Sequence, residues 1–264
     1  MYRINVGGNV NVAVQDLNPK GSKTILFIHG WPLSHKIFEY QFNVLPKYDI
    51  RCVGVDLRGY GCSDKPWRGY SYDRLADDLR EVIRKLEIRK AVACGFSMGG
   101  AVLARYMSRH RGTGICKIVM MGAACPSFPH ANGVSVPQVD LLIDAAYRDR
   151  PAMLEEFARK CFHNQPSGAY MKWFGDIAFG AAGHSSIRGL LSLRDEDLTS
   201  DLACIETPTA IFHGVYDKIC PFTMAEEMRS LITGSVIFPF HESGHCLFYE
   251  EKERCNQLLL EMMY

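Results

Sequence analysis

The sequence predicts an α/β fold, in which helices flank a mostly parallel central sheet and a helical insertion interrupts the sheet-forming part. Apolar runs of strand length alternate with helical stretches up to residue 125 and again from residue 204, which is the rhythm of repeated βαβ units. From residue 126 to residue 203 this rhythm stops and the pattern is mostly helical. We therefore predict a core formed by residues 1–125 and 204–264, and a helical cap formed by residues 126–203.

The individual elements follow from local patterns. Gly7-Gly8-Asn9 separates two β-branched runs, residues 4–6 and 10–17, and predicts the turn of a hairpin. Continuous apolar runs predict buried strands at residues 24–28, 50–55, 91–94, 118–121, 209–212 and 236–238. Ser71 precedes apolar residues at helical spacing, and further helices are predicted at residues 101–109, 139–147, 151–162 and 170–179 and from about Leu247.

The composition argues against several classes of protein. A chain of 264 residues, 47% hydrophobic and 22% charged, suits one large globular domain. The 30 basic and 29 acidic residues leave a net charge of +1, which gives no support for a nucleic-acid or membrane partner. The N-terminus does not resemble a signal peptide, and the ten scattered cysteines contain no Cys-x-x-Cys pair. We expect a cytoplasmic protein with reduced thiols that acts on a small molecule.

A serine lies in a motif with a known mechanical purpose. Gly95-Phe-Ser97-Met-Gly99 matches Gly-x-Ser-x-Gly, and the predicted strand before it and helix after it are the context that this motif requires. The glycines permit a sharp strand-to-helix turn that exposes the serine hydroxyl, and the helix N-terminus favours developing negative charge. The motif is typical of the α/β-hydrolase fold and predicts Ser97 as a catalytic nucleophile.

A nucleophilic serine needs a base and an orienting acid, which this fold supplies in the order serine, acid, histidine, each just after a strand. Asp217 follows the strand at residues 209–212, and the fold's other acid position, residues 121–126, holds no carboxylate. His245 lies between the last strand and the terminal helix, whereas His241 is too near the strand end. We predict Ser97, Asp217 and His245 as a catalytic triad.

The segment His241-Glu-Ser-Gly-His245 also matches the His-Glu-x-x-His signature of zinc proteases. That signature requires a helix, on which residues four apart share a face and both imidazoles reach one metal. Pro239 lies just upstream and Ser243-Gly244 fills the middle, which disfavours a helix. We therefore predict no metal site here.

Acyl transfer builds negative charge on the carbonyl oxygen, and two backbone N–H donors stabilise it by about 3 kcal/mol each. Met98 follows the nucleophile and Trp31 lies in the loop after the strand at residues 24–28, so their N–H groups are the predicted oxyanion donors. The candidate pocket-lining residues are aromatic, since large apolar side chains of the cap could close over an acyl group. They are Trp31, Phe128, Trp173 and Phe174.

Five segments together resemble the cofactor-free haloperoxidase and aryl esterase family of the α/β-hydrolase superfamily. They are His29–Leu33, Asp56–Pro66, Tyr72–Leu79, Gly95–Gly100 and His213–Asp217. The resemblance implies the triad and oxyanion donors named above, the absence of haem, metal or other cofactor, and frequent assembly into homo-oligomers. It covers the cap only loosely, and Ser34 stands where the family commonly has aspartate.

The resemblance also implies hydrolysis of small esters or lactones through an acyl-enzyme on Ser97. Perhydrolysis is implied as a side reaction, in which peroxide replaces water and the released peracid oxidises halide.

Two alternatives stay open. An amidase, lactamase or aminopeptidase could use the same triad, with Glu155, Glu156 and Asp176 available in the cap to hold an α-amino group. A slow-turnover sensor of small molecules could also keep an intact triad, and burst kinetics would reveal it.

Overall fold

The computed structural model describes residues 1–129 and 134–264. Within these residues, eight strands form one sheet in the order β1-β2-β4-β3-β5-β6-β7-β8. The strands are β1 (Tyr2–Asn5), β2 (Asn11–Leu17), β3 (Lys23–Ile28), β4 (Ile50–Val55), β5 (Ala91–Phe96), β6 (Ile115–Met121), β7 (Thr209–Gly214) and β8 (Val236–Phe240). The predicted α/β fold with a mostly parallel sheet is confirmed.

The first two strands depart from the parallel order. β1 pairs antiparallel with β2, and β2 pairs antiparallel with β4, whereas the remaining neighbours are parallel. The central strand β5 is buried along its whole length, which explains its nearly continuous apolar sequence. Because parallel strands point the same way, the carboxyl ends of β3 and β5–β8 lie along one edge of the sheet.

Ten helices accompany the sheet in the described part of the chain. They are α1 (Glu39–Phe42), α2 (Tyr72–Lys85), α3 (Met98–Arg109), α4 (Val136–Lys160), α5 (Gly168–Phe179), α6 (Gly183–Asp195), α7 (Thr199–Ala203), α8 (Phe222–Leu231), α9 (Leu247–Glu250) and α10 (Lys252–Met262). As predicted, α2 follows Ser71, whose hydroxyl accepts a hydrogen bond from the Arg74 N–H. None of these helices combines the length and the apolar character that crossing a membrane requires.

The helices α4–α7 connect β6 to β7 and occupy the region predicted as a cap, of which residues 130–133 lie outside the described residues. The two helices predicted at residues 139–147 and 151–162 form the single bent helix α4, in which Asp149 leaves the helical conformation (φ −152°, ψ 81°). Pro151 explains the bend, because it removes a backbone N–H and clashes with the preceding turn. The Asp149 carboxylate caps the second half by accepting a 3.1 Å hydrogen bond from the Ala152 N–H.

The sequence patterns did not reveal α6 and α7. Glycine and serine interrupt the apolar spacing of α6, and α7 has only five residues. α7 packs against α3 and α8, which belong to the predicted core, whereas α4 packs against α5 and α6.

Two loops at the carboxyl edge approach so closely that glycine is required. A Cβ on Gly214, the last residue of β7, would lie 2.6 Å from the carbonyl oxygen of Ser243 and also inside contact distance of the Gly244 carbonyl. A Cβ on Gly244 would lie 2.8 Å from the backbone nitrogen of His163. The loop after β7 is therefore held against the loop after β8 by backbone contacts that leave no space for a methyl group.

Substitution of Gly214 by alanine tests this close approach. The added methyl group meets backbone rather than a movable side chain, so Gly214→Ala should lower the free energy of unfolding by about 1–3 kcal/mol, as measured by urea denaturation. Gly168→Ala is the matched control, because a Cβ there meets nothing within 4 Å, and its stability should be unchanged or slightly raised. Equal stability of Gly214→Ala and wild-type protein would contradict the proposed steric constraint.

Candidate active site

Ser97 lies at the sharp turn between β5 and α3. Its backbone has φ 53° and ψ −122°, a conformation that L-residues adopt only under strong constraint. Two backbone hydrogen bonds supply this constraint, from the Ser97 N–H to the Met121 carbonyl (3.0 Å) and from the Ala124 N–H to the Ser97 carbonyl (3.1 Å). The strained turn is thus tied to the end of β6, and Ser97 is held at the carboxyl edge of the sheet.

The glycines of the motif allow α3 to start directly against β3. A Cβ on Gly99 would lie 2.6 Å from the His29 carbonyl oxygen and inside contact distance of the Ile28 carbonyl. A Cβ on Gly95 would in turn lie 2.6 Å from the Gly99 carbonyl oxygen. The spacing Gly-x-Ser-x-Gly therefore follows from the backbone contacts on either side of the serine.

Asp217 and His245 lie together in this structure, with 2.7 Å between the Asp217 carboxylate and the Nδ1 atom of His245. The second carboxylate oxygen of Asp217 accepts hydrogen bonds from the N–H groups of Ile219 and Cys220, both at 2.8 Å. Asp217 and His245 are both buried. The acid is therefore fixed by its own loop, and its free oxygen holds the imidazole with Nε2 directed away from Asp217.

The His245 ring packs beside the serine turn. The centroid of its ring lies 4.7 Å from that of Phe96, the residue before Ser97. Gly122 also lies close to the ring, since a Cβ on Gly122 would be 3.4 Å from the Nδ1 atom of His245. Neither His245 Nε2 nor Ser97 Oγ forms a hydrogen bond with any residue in the described ranges. Both atoms are thus available to a reacting molecule or to each other.

Two backbone N–H groups near Ser97 are also free. In the described ranges, neither the Trp31 nor the Met98 N–H donates to an acceptor, and Met98 is the first residue of α3, where the helix dipole favours negative charge. Gly30 lies against Ser97, since a Cβ on Gly30 would lie 2.7 Å from the serine Cβ. The loop that carries Trp31 therefore borders the serine, which is the arrangement that an oxyanion hole requires.

The side chain of Trp31 is fixed by the cap. Its indole Nε1–H donates a 2.8 Å hydrogen bond to the Ser186 carbonyl of α6, and its ring meets that of Phe157 of α4 edge-on at 5.1 Å. In the same loop Ser34 accepts a hydrogen bond from the Lys36 N–H at 3.4 Å, as the cap of a short helical turn. The predicted cap and the loop after β3 are thus joined through the buried side chain of Trp31.

The other predicted pocket residues lie in different places. Phe128 lines a cavity between α4 and the loop after β7. Trp173 lines a separate cavity with Tyr40 and Tyr249, and Phe174 is buried against Phe162 at a centroid distance of 5.3 Å. The structure thus brings Phe128 near the loop of Asp217, whereas Trp173 and Phe174 do not line the cavity of Phe128. The aromatic spacing of α5 serves an internal cluster of rings.

Two buried histidines were not predicted as part of the site. His213 Nε2 donates to the Cys220 carbonyl (2.7 Å) and lies 3.6 Å from the Asp217 carboxylate, and burial lowers its pKa. His29 donates from Nδ1 to the Gly30 carbonyl (2.9 Å) and accepts at Nε2 from the Leu57 N–H (3.0 Å). Each precedes a glycine at the end of a strand, and this repeated His-Gly pair is the signal that could have revealed them.

The residues of the zinc signature do not form a helix. The chain turns repeatedly between β8 and α9, and His241 is exposed while His245 is buried beside Asp217. The two imidazoles therefore lack the shared helix face on which that signature depends.

Comparison with known proteins places this geometry in a family. Residues 23–165 match the model of a family described as having the alpha/beta hydrolase fold. The chain belongs to this family. The matched residues include the strained serine, the loop of Trp31 and half of the predicted cap. Asp217 and His245 follow them in the order that the fold uses.

Three similar proteins extend the comparison. The AB hydrolase superfamily protein YisY of Bacillus subtilis (strain 168) is 43% identical over 257 residues, which cover 96% of this chain and 95% of that protein. The esterase EaEST from Exiguobacterium antarcticum is 36% identical with a TM-score of 0.96, covering 99% and 98% of the two chains. A bromoperoxidase from Bacillus anthracis is 28% identical with a TM-score of 0.93, covering 98% of each chain. The resemblance to non-haem haloperoxidases and esterases is confirmed.

The burial of His29 predicts how the free energy of unfolding depends on pH. Burial lowers the pKa of His29 to about 4, whereas an imidazole in an unfolded chain titrates near 6.5. Between about pH 6.5 and pH 4 the unfolded chain therefore binds a proton that the folded chain does not, and stability is lost as the pH falls through this window. The full contribution is on the order of 3 kcal/mol.

His29→Asn should make the fall in the free energy of unfolding from pH 7 to pH 5 smaller than in wild-type protein, as measured by urea denaturation at each pH. The fall should not vanish, because burial lowers the pKa of His213 as well. An equally steep fall in the variant would contradict this assignment.

Proposed function

We propose that this protein is a serine hydrolase that cleaves small carboxylic esters or lactones through an acyl-enzyme on Ser97. The observation that carries the proposal is the buried pair of Asp217 and His245, 2.7 Å apart, beside a serine held in a strained strand-to-helix turn. The name of the structurally similar esterase from Exiguobacterium antarcticum supports the ester as the substrate class.

The proposed reaction has two acyl-transfer steps. His245 Nε2 takes the proton of Ser97 while Oγ attacks the carbonyl carbon, and the N–H groups of Trp31 and Met98 bind the oxyanion. The tetrahedral intermediate then expels the alcohol, which receives the proton from His245. Water attacks the acyl-enzyme with His245 again as base, and the acid is released with Ser97 restored. Asp217 keeps the imidazole in the tautomer with a free Nε2 and stabilises the imidazolium.

Perhydrolysis is proposed as a side activity of the same site. Hydrogen peroxide replaces water in the second step, and the product is a peracid that can oxidise halide in solution. The name of the similar bromoperoxidase from Bacillus anthracis supports this side reaction. The triad and two N–H donors account for each step without a cofactor, which is how we propose the enzyme works.

The alternative functions receive less support. The acidic cap residues that an aminopeptidase would need are engaged with neighbouring cations, Glu155 with Arg159 (2.5 Å), Glu156 with Lys160 (2.7 Å) and Asp176 with Lys172 (3.0 Å). The names of the similar esterase and bromoperoxidase also favour ester chemistry over amide cleavage. We further propose a cytoplasmic location, supported by ten cysteines that are all free thiols.

Replacement of the nucleophile tests the proposal. Ser97→Ala should lower kcat for 4-nitrophenyl acetate by about 10⁴-fold or more, because covalent catalysis is lost and only binding and oxyanion stabilisation remain. Release of 4-nitrophenolate measures hydrolysis, and peracid formation in the presence of hydrogen peroxide measures perhydrolysis; both should fall together.

Ser22→Ala is the matched control, since Ser22 is exposed beside the start of β3, at the edge of the sheet opposite Ser97. It should keep wild-type rates. Undiminished ester hydrolysis by Ser97→Ala, or a faster reaction of wild-type protein with 4-nitroacetanilide than with the ester, would overturn the proposed function.

A further inference from the structure

A cavity of about 350 Å³ lies between the two halves of α4 and the loop after β7. Residues on both sides of the bend at Asp149 line it, so the bend creates the space. Its walls are mostly apolar and include Phe128, Leu142, Met153 and Phe157. Such walls favour a hydrocarbon chain or an aromatic ring as occupant.

The cavity adjoins the proposed catalytic residues on two sides. Lys218 and Ile219 line it and directly follow Asp217, and the Ile219 N–H donates a 2.8 Å hydrogen bond to the Asp217 carboxylate. On the other side, Phe157 meets the ring of Trp31, which belongs to the oxyanion loop. The cavity thus lies against the loops that carry Asp217 and Trp31, where the part of a substrate away from its reacting carbonyl would extend.

Among the described residues, the charges that line the cavity do not balance. Glu156 and Lys160 form an ion pair with each other at 2.7 Å. Lys218 is exposed and forms no ion pair or hydrogen bond with any residue of the described ranges. The neighbouring Asp217 forms no ion pair with it, since the oxygens of that buried carboxylate accept hydrogen bonds from His245 and from two N–H groups instead. Of the cations that the described residues contribute to this largely apolar cavity, Lys218 is the one without an ion-pair partner.

We propose that the substrate carries a carboxylate separated from its ester by an apolar spacer, and that Lys218 selects for this carboxylate. The proposal rests on the proposed ester hydrolysis and names its substrate class. An apolar chain alone would contact the walls but would gain nothing from the ammonium of Lys218, which is exposed to water. A substrate whose apolar spacer ends in a carboxylate can contact the walls with its spacer and Lys218 with its carboxylate, since an ammonium group binds carboxylates as a point charge.

Matched pairs of esters test this selectivity. Mono-4-nitrophenyl adipate and 4-nitrophenyl hexanoate have the same acyl length but differ in the terminal carboxylate, and 4-acetoxybenzoate and phenyl acetate differ in a carboxylate on the leaving group. The readout is the ratio of kcat/KM for the anionic ester to that for its neutral partner. We expect Lys218→Gln to lower this ratio by about three- to fivefold in the pair whose carboxylate reaches the cavity, the range typical of an exposed ion pair. Lys218→Glu should lower it further.

Two further variants control for charge. Lys20→Gln removes the same charge at an exposed position before β3, far from the carboxyl edge, and should keep the wild-type ratio. Glu156→Gln removes the one carboxylate that the described residues place in the cavity lining and should raise the ratio. In wild-type protein the ratio should fall as salt rises from about 0.02 to about 0.5 M, because salt screens exposed charges.

The outcomes separate this proposal from the proposed function. Failure of wild-type protein to hydrolyse any of the four esters would overturn the proposed function itself. Ester hydrolysis that depends on Ser97, with the same ratio in Lys218→Gln, Lys20→Gln and wild-type protein for both pairs, would overturn the role of Lys218 alone. A ratio insensitive to salt would also overturn it, and this measurement needs no variant to fold.

Discussion

The arrangement of this site depends on the contact between the start of α3 and the end of β3. Gly99 lies against the carbonyl groups of Ile28 and His29, and Gly30 lies against Ser97, so no side chain separates the helix from the strand. This contact brings the free N–H of Met98 and the loop of Trp31 to the same serine. The positive φ of Ser97 is the conformational cost of that approach, and the hydrogen bonds to the β6 segment offset it.

Burial of the acid gives the site its electrostatic character. A buried carboxylate costs several kcal/mol in lost hydration, which Asp217 recovers only through its hydrogen bonds to two N–H groups and to His245. His213 lies near the same carboxylate, yet burial lowers its pKa and keeps it neutral. In the proposed reaction, when His245 takes the proton of Ser97, the negative charge of Asp217 would therefore act on one imidazolium rather than on two.

The core could be predicted from the sequence more fully than the cap. The strands at residues 24–28 and 50–55 are buried on both faces, so their apolar runs identify them without knowledge of their neighbours. The sharp strand-to-helix turn at Ser97 was recognisable because close backbone contacts on either side of the serine require glycine at residues 95 and 99. By contrast, Trp173 and Phe174 were expected in the pocket, whereas they pack in a ring cluster that depends on Tyr249 and Phe162 from other parts of the chain. Helical periodicity shows which residues share a face, but the partner of that face is set by long-range packing.

The proposed catalytic residues and the cavity beside them are formed by different parts of the structure. Backbone contacts between glycines and carbonyl groups hold the serine, the acid and the imidazole, so almost any side chain added there disturbs them. Most of the described side chains that line the cavity beside them lie on one helix, α4, whose backbone bends at Asp149. In the proposed reaction, exchange of residues on α4 would therefore change which substrates are accepted, while the backbone contacts that hold Ser97, Asp217 and His245 stay the same.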